Sequence, residues 1–355
     1  MSICDPLPSD PWVVDLVPAE PLKLHVPPLR RTDSNSPLLR TVGNTLAFVS
    51  HYQPRGHTLR CASAGRWPDG TWSPVRFIDD PAPEMGKWIQ SVWRAPDGPL
   101  FGWYHAEELA PGDRRLFLPH IGAIVSHDDG RSWRFLGDLL RRPLAEADCS
   151  FANGFLAGGY GDFCVVPDRA GQWFYLHYSC YLPDESWQGV SVARYRVAAR
   201  EQPAGLEFWR DGKWQGDEAT PLFAVTRGWR HRDPAAYWGP AVHYNRALDL
   251  FVMLLNRTQD GNADIVQRGV YITFNADPGD PAGWSPPLQI VEDGSWYPQA
   301  IGTGADEGDT VAGAEPRFFM SGFSAWTLRF RRGTSSPPVR IGRETFAGLF
   351  GVGPR

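Results

Sequence analysis

Four acidic residues of this chain are candidates for acid–base chemistry. Asp33 lies in RTDSNSPLL, Glu107 in GWYHAEE, Asp162 in GGYGDFCVV and Asp233 in an Arg-Asp-Pro tripeptide. Two carboxyl groups, one ionised and one protonated near neutral pH, can act as a general base and a general acid. Short polar residues such as Asp33 also cap turns by bonding their own backbone. Asp33 is therefore either turn chemistry or a carboxylate aimed at a substrate.

The strand-like segments that carry these residues recur as adjacent pairs along the chain. The five pairs are DSNSPLLR with TLAFVSHY, WIQSVWRA with LFGWYHAE, GDFCVVPD with WFYLHYSC, WGPAVHYN with LFVMLLNR, and WYPQAIGT with RFFMSGFS. Four pairs are followed by a third strand-like segment, which reads GHTLRCASA in the first. Steps of 55 to 77 residues between the pairs are too long and too irregular for a solenoid, but suit the blades of a propeller.

The repeat predicts an all-β fold, a five-bladed β-propeller that forms a single domain over residues 31–332. Residues 1–30 are predicted to be an N-terminal extension and residues 333–355 a C-terminal tail that packs on the propeller. Residues before Asp33 or after Phe330 should complete the outer strands of the last blade. A pair of β-sandwiches is the alternative architecture.

Composition agrees with many short strands and restricts the partners. The 355 residues include 16 tryptophans, 37 glycines and 33 prolines, which favour strands joined by tight turns. A net charge of −5 gives no electrostatic reason to bind nucleic acid or an anionic membrane. The start lacks a basic segment followed by an apolar one, so a cytoplasmic protein is expected. Five cysteines without a C-x-x-C pair indicate reduced thiols and no zinc site.

The first strand of each propeller blade lines the central channel, and its start opens onto the funnel where ligands bind. If the five repeats are arranged in this way, aromatic, amide and hydroxyl side chains come together at the funnel. Such side chains suit an oligosaccharide or polysaccharide partner. Aromatic faces stack on sugar rings, whereas amides and carboxylates bind the hydroxyl groups. Trp238 and Trp296 could equally be core residues. The predicted substrate-binding residues are Asn35, Ser91, Asp233, Trp238, His243, Trp296, Tyr297 and Gln299.

One turn has a recognisable sequence pattern. Residues 126–133, SHDDGRSW, fit S-x-D-x-G-x-S-W and so resemble the Asp box of sialidase-like propellers. A carboxylate and a glycine at Asp128 and Gly130 suit a hairpin turn. We expect this motif to be structural, with Trp133 packed under the turn.

The chain has an acidic residue at the head of the first strand, a second acidic residue in a G-D-F context and a five-repeat layout. In these three features it resembles the five-bladed glycosidase superfamily. That group includes the arabinanase and xylosidase, invertase and mannoside phosphorylase families. The resemblance implies a glycoside hydrolase, or a close relative such as a glycoside phosphorylase, without a cofactor, in which Asp33 is the general base or nucleophile. We expect the inverting reaction, with Asp33 as the base. It also implies that Asp162 tunes the pKa of the acid or holds the sugar. Glu107 is the candidate acid, although it precedes Asp162, whereas the arabinanase pattern places its acid later.

Other assignments stay open at this point. The Arg-Asp-Pro at Asp233 resembles that of the invertase group, where the aspartate holds sugar hydroxyls, but Asp-Pro is also common turn chemistry. A non-catalytic carbohydrate-binding propeller would use the aromatic residues without a protonated acid. A polysaccharide lyase would use Lys87, His243 or Arg232 as base or neutralising group. No set of metal ligands is predicted, a structural Ca²⁺ is left open, and the sequence leaves the oligomeric state unknown.

Overall fold

The structure is a computed structural model, and it is built almost entirely of β-strands. It describes residues 12–24, 31–41, 44–50, 62–67, 72–112, 116–216, 218–258, 267–333, 337–342, 344–345 and 348. Four 3-10 turns, Leu144–Glu146, Glu185–Trp187, Val197–Ala199 and Pro281–Gly283, interrupt the described strands. No helix in this described part of the chain has the length and apolar character that crossing a bilayer requires.

The strands form five sheets in chain order. After β1 (Trp12–Lys23), blade one contains β2 (Leu38–Thr41), β3 (Asn44–Ser50), β4 (Ala62–Arg66) and β5 (Trp72–Pro74). Blade two contains β6 (Arg76–Ile78), β7 (Lys87–Arg94), β8 (Leu100–Leu109), β9 (Phe117–Ser126) and β10 (Ser132–Leu140). Blade three contains β11 (Tyr160–Pro167), β12 (Trp173–Cys180), β13 (Gly189–Arg196), β14 (Glu207–Arg210) and β15 (Lys213–Gln215).

Two short strands from the last part of the chain extend the sheet of blade four. Blade four contains β16 (Tyr237–Asn245), β17 (Leu250–Thr258), β18 (Gln267–Asn275) and β19 (Leu288–Asp293). The later strands are β20 (Gln299–Ile301), β21 (Val311–Ala312), β22 (Arg317–Met320), β23 (Phe323–Arg332) and β24 (Val339–Ile341). Of these, β20, β22 and β23 form blade five, whereas β21 and β24 pair in parallel with β16 and β19 of blade four.

Apolar layers hold each sheet against two others. Phe48 of blade one packs edge-on against Trp133 of blade two, with 5.7 Å between the ring centroids. Further clusters join blades two and three, three and four, and four and five. The fifth cluster packs Leu38 and Val49 of blade one against Phe319 of blade five. The fold is therefore the predicted five-bladed β-propeller.

The N-terminal strand belongs to the last sheet. β1 pairs antiparallel with β23, from Trp12 opposite Arg332 to Lys23 opposite Phe323. Residues before Asp33 thus supply the outer strand of blade five, as the sequence predicted. The predicted domain boundaries themselves stay a prediction. In blade one, part of the third strand-like segment, GHTLRCASA, lies outside the described residues, and β4 begins at Ala62.

The turn over residues 126–133 is held by its own side chains. The carboxylate of Asp128 accepts hydrogen bonds from the Ser132 backbone N–H at 2.8 Å and the Ser132 hydroxyl at 2.6 Å. The Trp133 indole N–H donates to the carbonyl of Gly130 at 3.0 Å, and its ring is fully buried. These bonds give the motif the structural role that we expected.

Candidate active site

Three of the predicted carboxylates lie at the same end of the propeller. Glu107 is near the end of β8, beside the start of β7, because Lys87 pairs with Ala106. Asp162 is near the start of β11. Asp33 precedes β2, and its backbone N–H donates to the carbonyl of Ser50 at the end of β3. The antiparallel meander therefore places residues of blades one, two and three at one mouth of the ring.

A buried histidine connects these carboxylates. His105 of β8 is 5% exposed. Its Nδ1 accepts a hydrogen bond from the backbone N–H of Asp162 at 3.2 Å, and its Nε2 lies 3.4 Å from Glu107 Oε1. The charges of Asp33, Glu107 and Asp162 all act on its ring. His105 therefore links the side chain of Glu107 in β8 to the backbone of Asp162 in β11.

Protonation in this cluster is shifted by burial and by the neighbouring charges. Burial raises the pKa of Asp162, an effect that the charge of His105 and hydrogen bonds from Tyr181 and Gln90 only partly offset. Burial lowers the pKa of His105, but the hydrogen bond to Glu107 and the three carboxylate charges outweigh it, so the pKa lies above 6.5. When two carboxyl groups lie in different environments, their pKa values differ, and one can act as the acid and the other as the base.

Asp162 occupies an unusual backbone conformation. Its φ is 38°, and the register of β11 against β12 shifts between Gly161 and Phe163. Positive φ is uncommon outside glycine, and such residues cluster at functional sites. The Tyr181 hydroxyl donates to Asp162 Oδ2 at 3.0 Å, which fixes the carboxyl group. The bulge therefore aims a carboxylate out of an otherwise buried strand.

An aromatic cluster adjoins the acidic group. Tyr181, which binds Asp162, packs edge-on against Trp229 with 5.0 Å between the ring centroids. Trp238 packs on Trp229, and its indole N–H donates to Gln267 at 3.0 Å. Trp238 is only 4% exposed, so it is placed as a core residue.

Two other predicted aromatic residues lie in the same cluster. Trp296 and Tyr297 precede β20 and pack on Trp238 with edge-on geometry. Tyr297 is buried, whereas Trp296 keeps part of its surface exposed. Trp296 is linked to the Asp33 loop, because the N–H of Ser321 donates to the carbonyl of Trp296 and the N–H of Thr32 donates to the carbonyl of Ser321.

Four predicted substrate-binding residues lie deeper in the channel. Asn35, Ser91, His243 and Gln299 border a cavity of about 10 Å³, which is space for about one water molecule. Gln299 bonds both backbone groups of Ser36, and Ser91 accepts from the N–H of Val165. These side chains join neighbouring blades, and the cavity is too small for a sugar ring. Asn35 stays close to the acidic group, because its Nδ2 donates to the carbonyl of Phe163, the residue after Asp162, at 3.4 Å.

Two of the remaining candidates are held in ion pairs. Asp233, in the loop before β16, forms an ion pair of 2.8 Å with Arg227. Lys87 is buried and forms an ion pair of 2.9 Å with Asp80. Burial lowers the pKa of His243 to about 3, which keeps its ring neutral. Of the groups named for a lyase, Lys87 is therefore held by Asp80 and His243 stays neutral. Among the described residues, no cluster of three or more His, Cys, Asp or Glu side chains is arranged to hold a metal ion.

Comparison with known proteins gives a likeness to solved structures. No family model and no curated protein matches the chain. An α-L-arabinanase from Penicillium chrysogenum, complexed with arabinobiose, is 13% identical over 93% of this chain and 88% of that chain, with a TM-score of 0.50. The catalytic domain of a GH62 α-L-arabinofuranosidase from Coprinopsis cinerea is 12% identical over 92% and 98%, with a TM-score of 0.49. The likeness is one of fold. These neighbours are β-propeller glycoside hydrolases.

Neither His105 nor Tyr181 was predicted from the sequence as a site residue. A signal for His105 was present, because residues two apart on a strand point to the same face, and His105 precedes Glu107 by two. Tyr181 had no such signal. It follows β12 directly and reaches Asp162 only because β11 and β12 pair from Tyr160 opposite Cys180 onward.

Proposed function

We propose that this propeller is a glycoside hydrolase-like enzyme that cleaves a glycosidic bond at the cluster of Asp33, Glu107 and Asp162. The observation that carries the proposal is that buried His105 lies 3.4 Å from the carboxyl group of Glu107 and accepts the backbone N–H of Asp162, within range of the charge of Asp33. Cleavage of a glycosidic bond needs two carboxyl groups that differ in protonation. The fold likeness to glycoside hydrolases supports the same reaction class.

In the proposed mechanism, Asp33 activates a water molecule as general base and Glu107 protonates the departing oxygen. The Glu107 side chain is 30% exposed and can meet a substrate while one oxygen stays bonded to His105. Asp162 is held by Tyr181 and Gln90 and has a raised pKa, so it tunes the proton affinity of its neighbours or binds a sugar hydroxyl. An inverting reaction requires roughly 6.5–9.5 Å between the acid and the base.

The substrate class is an oligosaccharide or polysaccharide. The Penicillium structure is a complex with arabinobiose, so arabino-oligosaccharides are the first substrates to test. A panel of chromogenic glycosides and plant and bacterial polysaccharides extends the search.

The test is hydrolysis by the wild type and by Asp33→Asn. This variant preserves shape but removes the base, so turnover should fall by about two or more powers of ten while sugar binding survives. Product release and sugar affinity are measured in parallel, and Asp249→Asn, a substitution on the exposed turn between β16 and β17, serves as the control. Full turnover in Asp33→Asn would reduce Asp33 to turn chemistry. Sugar binding without any turnover by the wild type would favour a carbohydrate-binding propeller.

A further inference from the structure

We propose that His105 is the positioning residue that sets Glu107 and Asp162 relative to each other in the hydrolysis. The inference rests on the proposed function, and it assigns one task to each ring nitrogen. Nδ1 accepts from the backbone N–H of Asp162 at 3.2 Å, so Nδ1 carries no proton in this arrangement. The proton of the neutral ring is then on Nε2, which donates to Glu107 Oε1 at 3.4 Å.

The ring of His105 is packed against Trp88 and Gly161. The indole of Trp88 meets it edge-on, with 5.5 Å between the ring centroids. On the other side Gly161 has no side chain, and a Cβ there would lie 2.5 Å from His105 Cε1 and 2.8 Å from Nδ1. Because the ring is packed in this way, a shift of β11 would also move the side chain of Glu107. Misplacing a reacting group by about 1 Å can cost about 100-fold in rate.

The bond from His105 engages only one of the two carboxyl oxygens of Glu107. A donor on one oxygen leaves the other oxygen, Oε2, to hold the acidic proton and face the leaving group. The neutral ring is the competent form, because a proton on Nδ1 would face the N–H of Asp162.

The titratable groups around the ring determine the pH at which the neutral form of His105 is lost. Asp33, Glu107 and Asp162 raise the pKa of His105 above 6.5. His120, on the neighbouring strand β9, stays neutral because burial lowers its pKa to about 4. As pH falls through the pKa of His105, the ring gains the second proton and activity should be lost. On the acidic side of its pH profile, the wild type should therefore lose kcat/KM, with an apparent pKa above 6.5.

Two variants separate the contacts of His105. His105→Asn places an oxygen near the Nδ1 position and keeps an acceptor for Asp162, but loses the donor to Glu107. His105→Gln places its amide near Nε2 and keeps the donor to Glu107. On an unactivated arabino-oligosaccharide, kcat of His105→Asn should fall by about 10- to 100-fold with KM nearly unchanged, whereas His105→Gln should retain more.

The leaving group identifies the step that is affected. An aryl glycoside with a nitrophenolate leaving group needs little protonation, so the loss in His105→Asn should shrink to within about threefold. Glu107→Gln should show the same dependence, and adding His105→Asn to it should cost little more. Both His105 variants should lack the acidic limb that the wild type shows above pH 6.5.

The control is His177→Asn, which alters a fully buried histidine of β12 outside the acidic group. It should lower the melting temperature but leave kcat and the pH profile unchanged. Equal losses in His105→Asn and His105→Gln, independent of the leaving group, would overturn the inference while Asp33→Asn still supports hydrolysis. Nitrogen-15 NMR of His105 tests the geometry without turnover: an Nε2–H tautomer is expected, and an Nδ1–H tautomer would contradict it even if no glycoside is cleaved.

Discussion

The carboxyl group of Asp309 is half-buried beside Leu38, at the start of β2 in blade one. Its Oδ1 accepts a hydrogen bond from the backbone N–H of Leu38 at 2.9 Å, and the N–H of Asp309 donates to the carbonyl of Leu38. Burial raises the pKa of Asp309 to about 7, although hydrogen bonds from the N–H groups of Leu38 and Asp309 itself lower it. The chain therefore carries a carboxyl group that titrates near neutral pH outside the acidic group.

Asp309 should make folding stability depend on pH. A carboxyl group with an ordinary pKa of 3.8 in the unfolded chain and about 7 in the folded chain binds more protons when folded. Its stabilising contribution is complete below about pH 4 and is lost as pH rises through about 7. Asp309→Asn should therefore melt at a higher temperature than the wild type at pH 8, by a few degrees, with the difference vanishing near pH 4.

Thermal unfolding in a series of buffers measures this difference. Asp306→Asn, in the same segment, provides a control that should follow the wild type at every pH. A melting-temperature difference that stays constant from pH 4 to pH 8 would contradict the assigned ionisation of Asp309.

Single residues were only partly predictable. Asp33 and Asp162 were predicted because each lies at the head of the first strand of a repeat, and Glu107 because it lies near the end of the second strand of blade two. Asp309 could not, because it lies in an irregular segment and acts on Leu38 across 271 positions of the chain. The position of Asn35 and Gln299 along the channel could not be predicted from the sequence either. Sequence places both near the start of an inner strand, but packing of the blades decides that their amides join strands below the funnel.

At the scale of elements, the bulge in β11 and the end of β8 are fitted to each other. Gly161 lies against the ring of His105, and Asp162 next to it takes the positive φ that lets its N–H reach Nδ1. The close approach, rather than backbone freedom, requires glycine at position 161. The two strands thus form one unit of the candidate site.

Gly161→Ala should damage this unit. The added methyl group would overlap the imidazole, so His105 must move from Glu107 and Asp162. We expect a loss of stability of about 1–3 kcal/mol, typical of overpacking, together with a fall in kcat. The matched control is Gly216→Ala, where an added Cβ meets no atom within 4 Å. Denaturant unfolding and hydrolysis rates measure both effects. Gly161→Ala with the stability and turnover of Gly216→Ala would show that His105 can shift without consequence.

The long strands of the blades were predictable because both faces are covered, which produces continuous apolar runs such as that of β17. The short parallel strands β6, β21 and β24 were not. Each has three residues or fewer, which is too short for any period, and each pairs with a strand distant in sequence. Their positions follow from tertiary packing.

At the scale of the whole molecule, blade five combines segments from both ends of the chain. Val13 and Val14 of β1 are 1% and 6% exposed, and Val14 joins the core shared by blades four and five. Burial of a valine side chain contributes about 1.5–3 kcal/mol. Two prolines, Pro18 and Pro21, suit the outer position of β1, because proline cannot donate to a further strand. β1 therefore adds buried side chains to the core between blades four and five, and it forms the outer edge of the sheet of blade five.

Removing residues 1–23 should destabilise the propeller and expose β23. The truncated chain loses the buried valines and nine register pairs with β23, which becomes an unpaired edge strand of ten residues. Exposed edge strands template pairing with other chains. We expect a melting temperature lower by several degrees and a larger fraction of aggregate in size-exclusion chromatography than in the full-length chain. A chain that lacks only residues 1–11 retains β1 and is the control. If the truncation at residue 23 melts and elutes like this control, then the pairing of β1 with β23 contributes nothing to the stability of the ring.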